Sequence, residues 1–251
     1  VSLQDLASLQ AALDLGVKAY GRLHSVFIAT GYDIPQSPIS EVTPELWQRV
    51  LRSDAEGAFN AIHATLPHLR TGGGGSYVHI SSAGLLKYPP LDILSVAPKA
   101  AVEELIKGVA KEEGINNIRA NSIAIGVIET GIFLRLKEQG VFDDAWIEGV
   151  KNALPLNRFG QPEEVAKHLA ATAAMAERRS KHARAPRDAN LAITFSLPSA
   201  PVSESVKWCK GPKVLYSLAL TSSVLWTALS MMCSLMSGVT AFMAWTMSPP
   251  L

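Results

Sequence analysis

The start of the chain changes from a helix-like to a strand-like pattern of hydrophobic residues. Apolar residues recur at helical spacing at Leu6, Leu9, Leu13 and Val17. Ser2 and Asp5 precede them in a capping-box pattern, so we expect Ser2 to be the N-cap of the first helix. An apolar run at residues 26–29 then has the length and composition of a buried strand.

The next helix is predicted from three residues at its start. Thr43 suits the N-cap, Pro44 suits the first helical position, and Glu45 adds an acidic residue to the first turn. We expect this helix to run to about Leu66 and to stop near Pro67, because proline disfavours the interior of a helix.

The alternation continues through the following segments. A flexible turn at residues 72–75 precedes a predicted strand at 77–80, and a further strand is predicted at 118–125. A helix of about 15 residues is expected after Pro98, with an apolar stripe at Val102, Leu105, Ile106, Val109 and Ala110. Residues 161–164 contain the proline and the acids that begin another helix.

Strands that alternate with helices predict an α/β fold with a parallel sheet covered on both faces. Such sheets bind ligands at the carboxyl ends of their strands. The segments at 29–31, 81–84 and 125–130 each follow a predicted strand. We therefore expect these three segments to converge on one edge of the sheet.

The composition changes near residue 178. We divide the chain into a partial α/β domain at 1–177, a basic, proline-containing linker at 178–213 and a divergent, uncharged hydrophobic tail at 214–251. Five of the six methionines lie at or after Met231. Three interpretations of the tail stay open: a membrane anchor at 214–236, a segment packed on the domain, or sequence not selected to fold. We favour the third, because the regular pattern stops near Ala176.

Composition and charge narrow the class of protein. A chain of 251 residues with 48% hydrophobic residues can bury a sizeable core, and a net charge of +1 gives no basic field for nucleic acid. Cys209 and Cys233 lie outside the predicted domain, so we expect no disulfide framework and a cytoplasmic location. The chain begins with Val1 and has no secretory pattern, and we expect its true N-terminus to lie upstream.

The spacing of three polar residues points to a known family. Ser95 follows Ser82 by 13 residues and precedes Lys99 by four. This spacing resembles the Ser…Tyr-x-x-x-Lys arrangement of the short-chain dehydrogenase/reductase family, with Ser95 in the position of the tyrosine. Further segments are similar to the family's motifs, at 72–82, 99–103, 118–123 and 158–166.

The resemblance covers about residues 1–174 and implies a partial Rossmann-like, doubly wound parallel sheet. It implies an oxidoreductase that transfers hydride between NAD or NADP and a small carbonyl or alcohol substrate, and that is often a homo-oligomer. The implied catalytic positions are Ser82, Ser95, Lys99 and Asp54. The implied cofactor contacts are Ala29, Gly31, Lys99, Gly126 and Thr130.

The chain departs from the family's pattern at several positions. The glycine-rich turn that binds the cofactor pyrophosphate is expected upstream of Val1, and residues 72–75 cannot replace it because they precede a strand. A sheet that lacks neighbours on both sides would expose two edges. Asp54 stands where the family has asparagine, and Ile28 and Thr30 replace a polar pair in the loop after the first predicted strand.

Each candidate residue also has a structural interpretation. We favour Ser95 as a helix N-cap with Pro98 in the first turn, and Lys99 as a ribose and nicotinamide contact rather than a surface lysine. Ser82 suits turn closure and catalysis equally. Asp54 suits a solvated or capping carboxylate as well as a catalytic one, and Thr130 suits a cap for the segment that follows it.

Three further residues have a structural interpretation that we prefer. Tyr88 could supply a phenol in place of the missing one, although a packed loop tyrosine is the preferred interpretation. His63 and His68 flank a proline at a spacing that does not suit a metal site, so we interpret both as structural.

The resemblance, with Ser95 in place of tyrosine, thus implies an oxidoreductase whose activity is impaired or atypical. General acid–base catalysis contributes roughly 10²–10⁴ in rate, and a serine hydroxyl is far less acidic than a phenol. The alternative is a non-catalytic relative, or an oligomerisation module that pairs through the helices near residues 45–66 and 95–113.

Overall fold

Helices and strands alternate along the residues that the computed structural model describes, which are 1–31, 34–178, 190–196, 207–211, 214–218 and 240–245. The helices are α1 (Leu6–Tyr20), α2 (Pro44–Leu51), α3 (Gly57–Thr71), α4 (Ile93–Glu112), α5 (Gly131–Glu138), α6 (Asp144–Asn152) and α7 (Pro162–Arg178). The strands are β1 (Leu23–Ala29), β2 (Gly75–Ser82), β3 (Ile118–Ile125), β4 (Asn190–Ser196), β5 (Lys207–Gly211), β6 (Val214–Leu218) and β7 (Thr240–Trp245). The predicted α/β class is confirmed.

The strands form one sheet in the order β3-β2-β1-β4-β7-β6-β5. β1 pairs in parallel with β2 on one side and with β4 on the other, and β2 pairs in parallel with β3. The chain therefore moves outward from β1 to β3 and then returns to the opposite side of β1. This reversal is the doubly wound arrangement that the sequence predicts.

Helices cover both faces of the sheet at β1–β3. On one face α1, α3 and α4 enclose a core that includes Leu13, Ile62, Tyr77 and Ile106. On the other face α7 packs Val165 and Leu169 against Phe27 and Val78. Because β1 lies between these layers, it is buried along almost its whole length, as expected of a central parallel strand.

The first helix begins later than predicted. Asp5 is the N-cap, and its carboxylate accepts a hydrogen bond from the Ser8 N–H at 3.1 Å. The Ser2 hydroxyl accepts from the Gln4 N–H instead, so the proposed capping box is wrong. An N-cap side chain usually accepts from the N–H two or three residues after it, and the Asp5–Ser8 contact has this geometry at the first turn of α1.

The second predicted helix begins as expected but continues past its predicted end. Thr43 accepts a hydrogen bond from the Leu46 N–H at 3.2 Å and Pro44 occupies the first position, which confirms the predicted start. A π-helical segment at Arg52–Glu56 joins α2 to α3. Pro67 lies inside α3 rather than at its end. Proline has no N–H to donate to the carbonyl of His63, four residues earlier in the helix. Both residues are exposed, so water can bind that carbonyl instead.

The helix that carries Lys99 also begins earlier than predicted. The N–H groups of Ser95 and Val96 both donate to the Asp92 carbonyl, which places Ser95 in the first turn of α4 and Asp92 at the N-cap position. Pro98 lies inside the helix. The interpretation of Ser95 as the N-cap is therefore wrong, because backbone hydrogen bonds already form one turn before the proline.

The open edge expected beside β1 is absent, because β4 pairs with it from Leu23↔Leu191 to Ala29↔Ser196. Among the described residues β3 has no strand on its outer side.

β4 and β5 fall within 178–213 and β6 and β7 within 214–251, and the division of the chain at these boundaries stays a prediction. Most of the candidate anchor at 214–236 lies outside the described residues, and no helix within the described residues is long and apolar enough to cross a membrane.

Candidate active site

The segments that follow β1, β2 and β3 lie at the same edge of the sheet. The three strands are parallel neighbours, with Ile28 paired to His79 and Ser82 paired to Ile125. Their carboxyl ends therefore meet, as the sequence predicts. The glycines at 72–75 lie at the amino end of β2, on the opposite edge. They are therefore far from the candidate residues, in agreement with the argument that they cannot bind the pyrophosphate.

Ser82 ends β2 and packs close to the start of α4. Its hydroxyl accepts a hydrogen bond from the Gly84 N–H at 3.0 Å and so begins the short 3₁₀ turn Ala83–Leu85. A Cβ at Gly84 would lie 2.9 Å from Val96 Cγ2 and 3.1 Å from Ser82 Oγ. The glycine thus lets the Ser82 turn contact the first turn of α4. Both interpretations of Ser82, turn closure and catalysis, are compatible with this position.

Ser95 and Lys99 lie one turn apart on α4 and contact each other. Lys99 Nζ donates a hydrogen bond to Ser95 Oγ at 3.4 Å, and both residues are half-buried. Residues at i and i+4 share one face of a helix, so this contact needs no distortion of the backbone. Pro98, which directly precedes Lys99, is buried, so this part of α4 packs against the protein interior.

Asp54 lies in the π-helical segment between α2 and α3, and it is only 2% exposed. The segment packs against α4, the helix that carries Lys99. A π turn shifts the face that a helix presents to its neighbours, and such turns are frequent at functional sites. The solvated interpretation of Asp54 is therefore wrong, and a buried carboxylate beside α4 replaces it.

The candidate cofactor contacts lie in the loops after β1 and β3. Thr30 is 5% exposed, and the Gly31 that follows it has open space where a Cβ would stand. Gly126 has similar open space, and Thr130 is buried at the N-cap position of α5. Two glycines with open space at the sheet edge allow close approach of a planar ligand to the backbone. These two loops therefore leave room for the nicotinamide part of a dinucleotide.

Two hydrogen bonds connect the loop after β1 to the turn before α4. The Ser37 N–H donates to the Leu91 carbonyl at 3.2 Å, and Gln36 Nε2 donates to Asp92 Oδ1 at 3.2 Å. Burial raises the pKa of the Asp92 carboxyl. These contacts hold the start of α4, and hence Ser95, close to the segment that contains Gly31.

The loop after β3 is held by residues whose role the sequence did not reveal. Gly160 exchanges backbone hydrogen bonds with Val127 and Glu129, and its missing Cβ makes room for Ile128, since a Cβ would lie 2.5 Å from Ile128 Cδ1. Arg158 binds both oxygens of Glu164 at 2.9 and 2.7 Å, and this contact lowers the pKa of Glu164 to about 2. The similarity of residues 158–166 to a family motif was the available signal, but it did not show that these residues position Gly126 and Thr130.

His79 is a second residue that the sequence did not single out. Its side chain is completely buried, with Nδ1 3.7 Å from Glu103 Oε2 and 3.5 Å from Ser122 Oγ. Burial lowers the pKa of His79 to about 4, so it is neutral near pH 7. A polar residue in the centre of an apolar strand was the only sequence signal.

The remaining candidates take structural positions. Tyr88 is 50% exposed in the loop between Ser82 and Ser95, and its role as a replacement phenol stays a prediction. His63 stacks on Phe59 with ring centroids 5.9 Å apart, and His68 Nε2 lies 3.4 Å from Asp14 Oδ1. Within the described ranges no group of three or more His, Cys, Asp or Glu residues could hold a metal ion.

Comparison with known proteins gives consistent results. Residues 1–181 match the family described as Enoyl-(Acyl carrier protein) reductase. Cyclohexanol dehydrogenase from Acinetobacter sp. strain SE19 is 32% identical over 163 residues, which are 64% of this chain and 61% of that protein. The chain spans about three-fifths of the length of this and similar curated relatives.

Solved structures of the same architecture superpose on the chain. A short-chain type dehydrogenase/reductase from Mycobacterium ulcerans has a TM-score of 0.65 and 26% identity, with 70% of this chain and 64% of that chain covered. A gluconate 5-dehydrogenase from Burkholderia cenocepacia J2315, in complex with NADP and tartrate, has a TM-score of 0.57 and 25% identity, with 64% and 61% covered. The family match, the doubly wound sheet and the Ser82–Ser95–Lys99 arrangement agree: this chain belongs to the short-chain dehydrogenase/reductase family.

Proposed function

We propose that this chain is an oxidoreductase that acts on a small carbonyl or alcohol substrate with NAD or NADP, and that its turnover is impaired because Ser95 replaces tyrosine. The observation that carries the proposal is the Lys99–Ser95 contact in the first turns of α4, beside the Ser82 turn at the end of β2. Family membership supports the reaction class. The relatives with dehydrogenase and NADP-complex descriptions support the substrate class and the cofactor.

The bound nicotinamide would accept or donate the hydride. The Ser82 hydroxyl would donate its proton in a hydrogen bond to the substrate oxygen. Its oxygen can continue to accept from the Gly84 N–H at the same time. The Lys99 ammonium would donate to the ribose and stabilise negative charge at the Ser95 oxygen. Ser95 would exchange the proton slowly, because an aliphatic hydroxyl is far less acidic than a phenol.

The remaining site residues would hold the cofactor. Ala29 and Gly31 after β1, and Gly126 and Thr130 after β3, would contact it along the sheet edge. Buried Asp54 would orient groups at the start of α4, although its negative charge differs from the neutral asparagine of the family pattern.

Cofactor titration with the full chain tests the proposal. NADH and NADPH should each be titrated into the wild type, into Lys99→Met and into Lys107→Met. Lys107 lies on the same helix but pairs with exposed Glu104 at 2.6 Å, which makes it the matched control. We expect saturable binding of at least one nucleotide, weakened in Lys99→Met and unchanged in Lys107→Met. No saturable binding by the wild type would refute the proposed activity.

A non-catalytic role as an oligomerisation module is the second candidate. Phe59 on α3 is 50% exposed and forms an aromatic surface with His63, where a partner helix could pack. Homo-oligomers should then form without nucleotide, and Phe59→Asp should shift the sedimentation coefficient toward the monomer. A monomeric wild type would exclude this role. The cytoplasm remains the expected compartment for either function.

A further inference from the structure

His79 is a buried polar residue with contacts on only one side of its ring. Its Nδ1 lies 3.5 Å from Ser122 Oγ of β3 and 3.7 Å from Glu103 Oε2 of α4, and this carboxylate oxygen is itself buried without a hydrogen bond within the described part of the chain, so the approach to Glu103 is electrostatic. Its Nε2 is buried and has no hydrogen-bond partner among the described residues. Burial of a polar side chain without full compensation is costly, so a simple apolar core position would not favour histidine here.

The contacts determine which nitrogen carries the proton. A neutral imidazole has one N–H donor and one lone-pair acceptor, and a carboxylate can only accept. A proton on Nδ1 points at Glu103 and Ser122, and it leaves Nε2 as an acceptor. Nε2 has no described partner in either tautomer, so the nearby carboxylate decides: a proton on Nε2 would turn the lone pair of Nδ1 toward the negative charge of Glu103. The geometry therefore assigns the proton to Nδ1.

Glu103 connects this histidine to the candidate active site. Ser95, Lys99 and Glu103 follow one another at intervals of four residues, so they lie along one face of α4. Lys99 reaches toward Ser95, whereas Glu103 reaches across to His79. Glu103 raises and Lys99 lowers the pKa of His79, so both charges lie within electrostatic reach of the ring.

We propose that His79 and Glu103 are positioning residues for Lys99: His79, protonated on Nδ1, holds the Glu103 carboxylate against the sheet, and this fixed negative charge keeps the Lys99 ammonium on the inner face of α4 beside Ser95. The consequence for binding rests on the proposed function, in which Lys99 contacts the cofactor. The contact between His79 and Glu103 does not rest on it.

The first test reads His79 directly by nitrogen-15 NMR of the full chain, with the ring assigned through backbone connectivity. We expect the neutral tautomer with the proton on Nδ1 at pH 7. Lys99→Met should raise the pKa of His79 above about 4, because it removes a positive charge near the ring, whereas Lys107→Met should leave it unchanged. The Nε2–H tautomer, or a pKa of His79 that Lys99→Met does not move, would overturn the proposal.

The second test compares two neighbouring glutamates. Glu103→Gln should weaken NADH or NADPH binding by at least about fivefold. Glu104→Gln, at an exposed position on the same helix, should leave the dissociation constant unchanged. Thermal unfolding of both variants shows whether α4 stays folded. Equal dissociation constants in the two variants would overturn the positioning role.

The two proposals fail separately. A wild type that binds no nucleotide refutes the proposed function, and the NMR results then decide the positioning role alone. A wild type that binds nucleotide but shows the Nε2–H tautomer refutes the positioning role and leaves the proposed function intact.

Discussion

Lys99 Nζ donates to Ser95 Oγ at 3.4 Å, across one turn of α4. This distance is at the long end for an N–H···O hydrogen bond, so the contact is weak. A serine oxygen lies close to its own backbone, whereas a phenol at the same position would extend well away from the helix. Lys99 therefore lies next to a serine, whose side chain is shorter and whose hydroxyl is less acidic than those of the tyrosine in the family pattern.

Restoring the phenol should increase turnover. In Ser95→Tyr the ring would extend from the first turn of α4 toward Ser82, and general acid–base catalysis would raise kcat by roughly 10²–10⁴. The measurement is the steady-state oxidation of NADH or NADPH with a panel of small ketones. Ser95→Phe, which adds the ring without the hydroxyl, is the matched control. Equal rates in the two variants would show that the missing phenol is not what limits turnover.

Gly160→Ala should destabilise the protein, because the new Cβ would lie 2.5 Å from Ile128 Cδ1. The Ile128 methyl ends a half-buried side chain that can rotate away, so we expect a cost near the lower end of the overpacking range, about 1 kcal/mol, measured by denaturant unfolding. Ile128→Val removes the clashing atom, so the double variant should lose less than the sum of the two single variants.

Gly149→Ala provides the control for this prediction. Gly149 lies inside α6, and a Cβ there meets no atom within 4 Å. Alanine should therefore stabilise α6 by about 0.5–1 kcal/mol. A loss of stability at Gly149 as large as that at Gly160 would mean that the Gly160–Ile128 contact is not the cause.

The Arg158–Glu164 ion pair should contribute a pH-dependent part of the stability. Its contact lowers the pKa of Glu164 to about 2 from the ordinary value of 4.5. The pair therefore stabilises the fold fully above about pH 4.5 and loses its effect as the pH falls toward 2. The difference in Tm between the wild type and Glu164→Gln should shrink over this range. Glu163→Gln, in the same turn of α7, is the control, and an equal pH dependence in both variants would contradict the assignment.

Buried His24 should make the protein less stable in mild acid. Burial, with help from Arg22 and Arg119, lowers the pKa of His24 to about 4, below the ordinary value of 6.5. The unfolded chain therefore takes up the proton first, and stability falls as the pH drops from about 6.5 toward 4. His24→Asn should give a smaller loss of unfolding free energy between pH 7 and pH 5 than the wild type. An unchanged loss would mean that His24 is not buried in its neutral form.

The sequence predicted best those elements that depend on residues close together along the chain. β3 has the predicted bounds and Thr43 caps α2, because buried apolar runs and N-caps depend on residues close together in sequence. The predicted starts of α1 and α4 were wrong, and so was the predicted end of the second helix near Pro67. In each case backbone hydrogen bonds or exposure decided between local alternatives that the residue pattern left nearly equal.

The site was predicted in part for the same reason. The strand pattern placed the segments at 29–31, 81–84 and 125–130 at one sheet edge, since parallel strands bring their carboxyl ends together. It did not show that Ser95 lies within the helix or that Asp54 is buried in a π turn. Both depend on how α2, α3 and α4 pack on one another.

The sequence by itself determined the family, the α/β class and the substitution of Ser95 for tyrosine, because motifs and hydrophobic periods are local properties of the chain. Only the tertiary structure decided that β4 pairs with β1, that Gly160 approaches Ile128 and that His79 contacts Glu103. These contacts join residues that are distant along the chain. Their formation depends on the packing of whole strands and helices, which no single segment specifies.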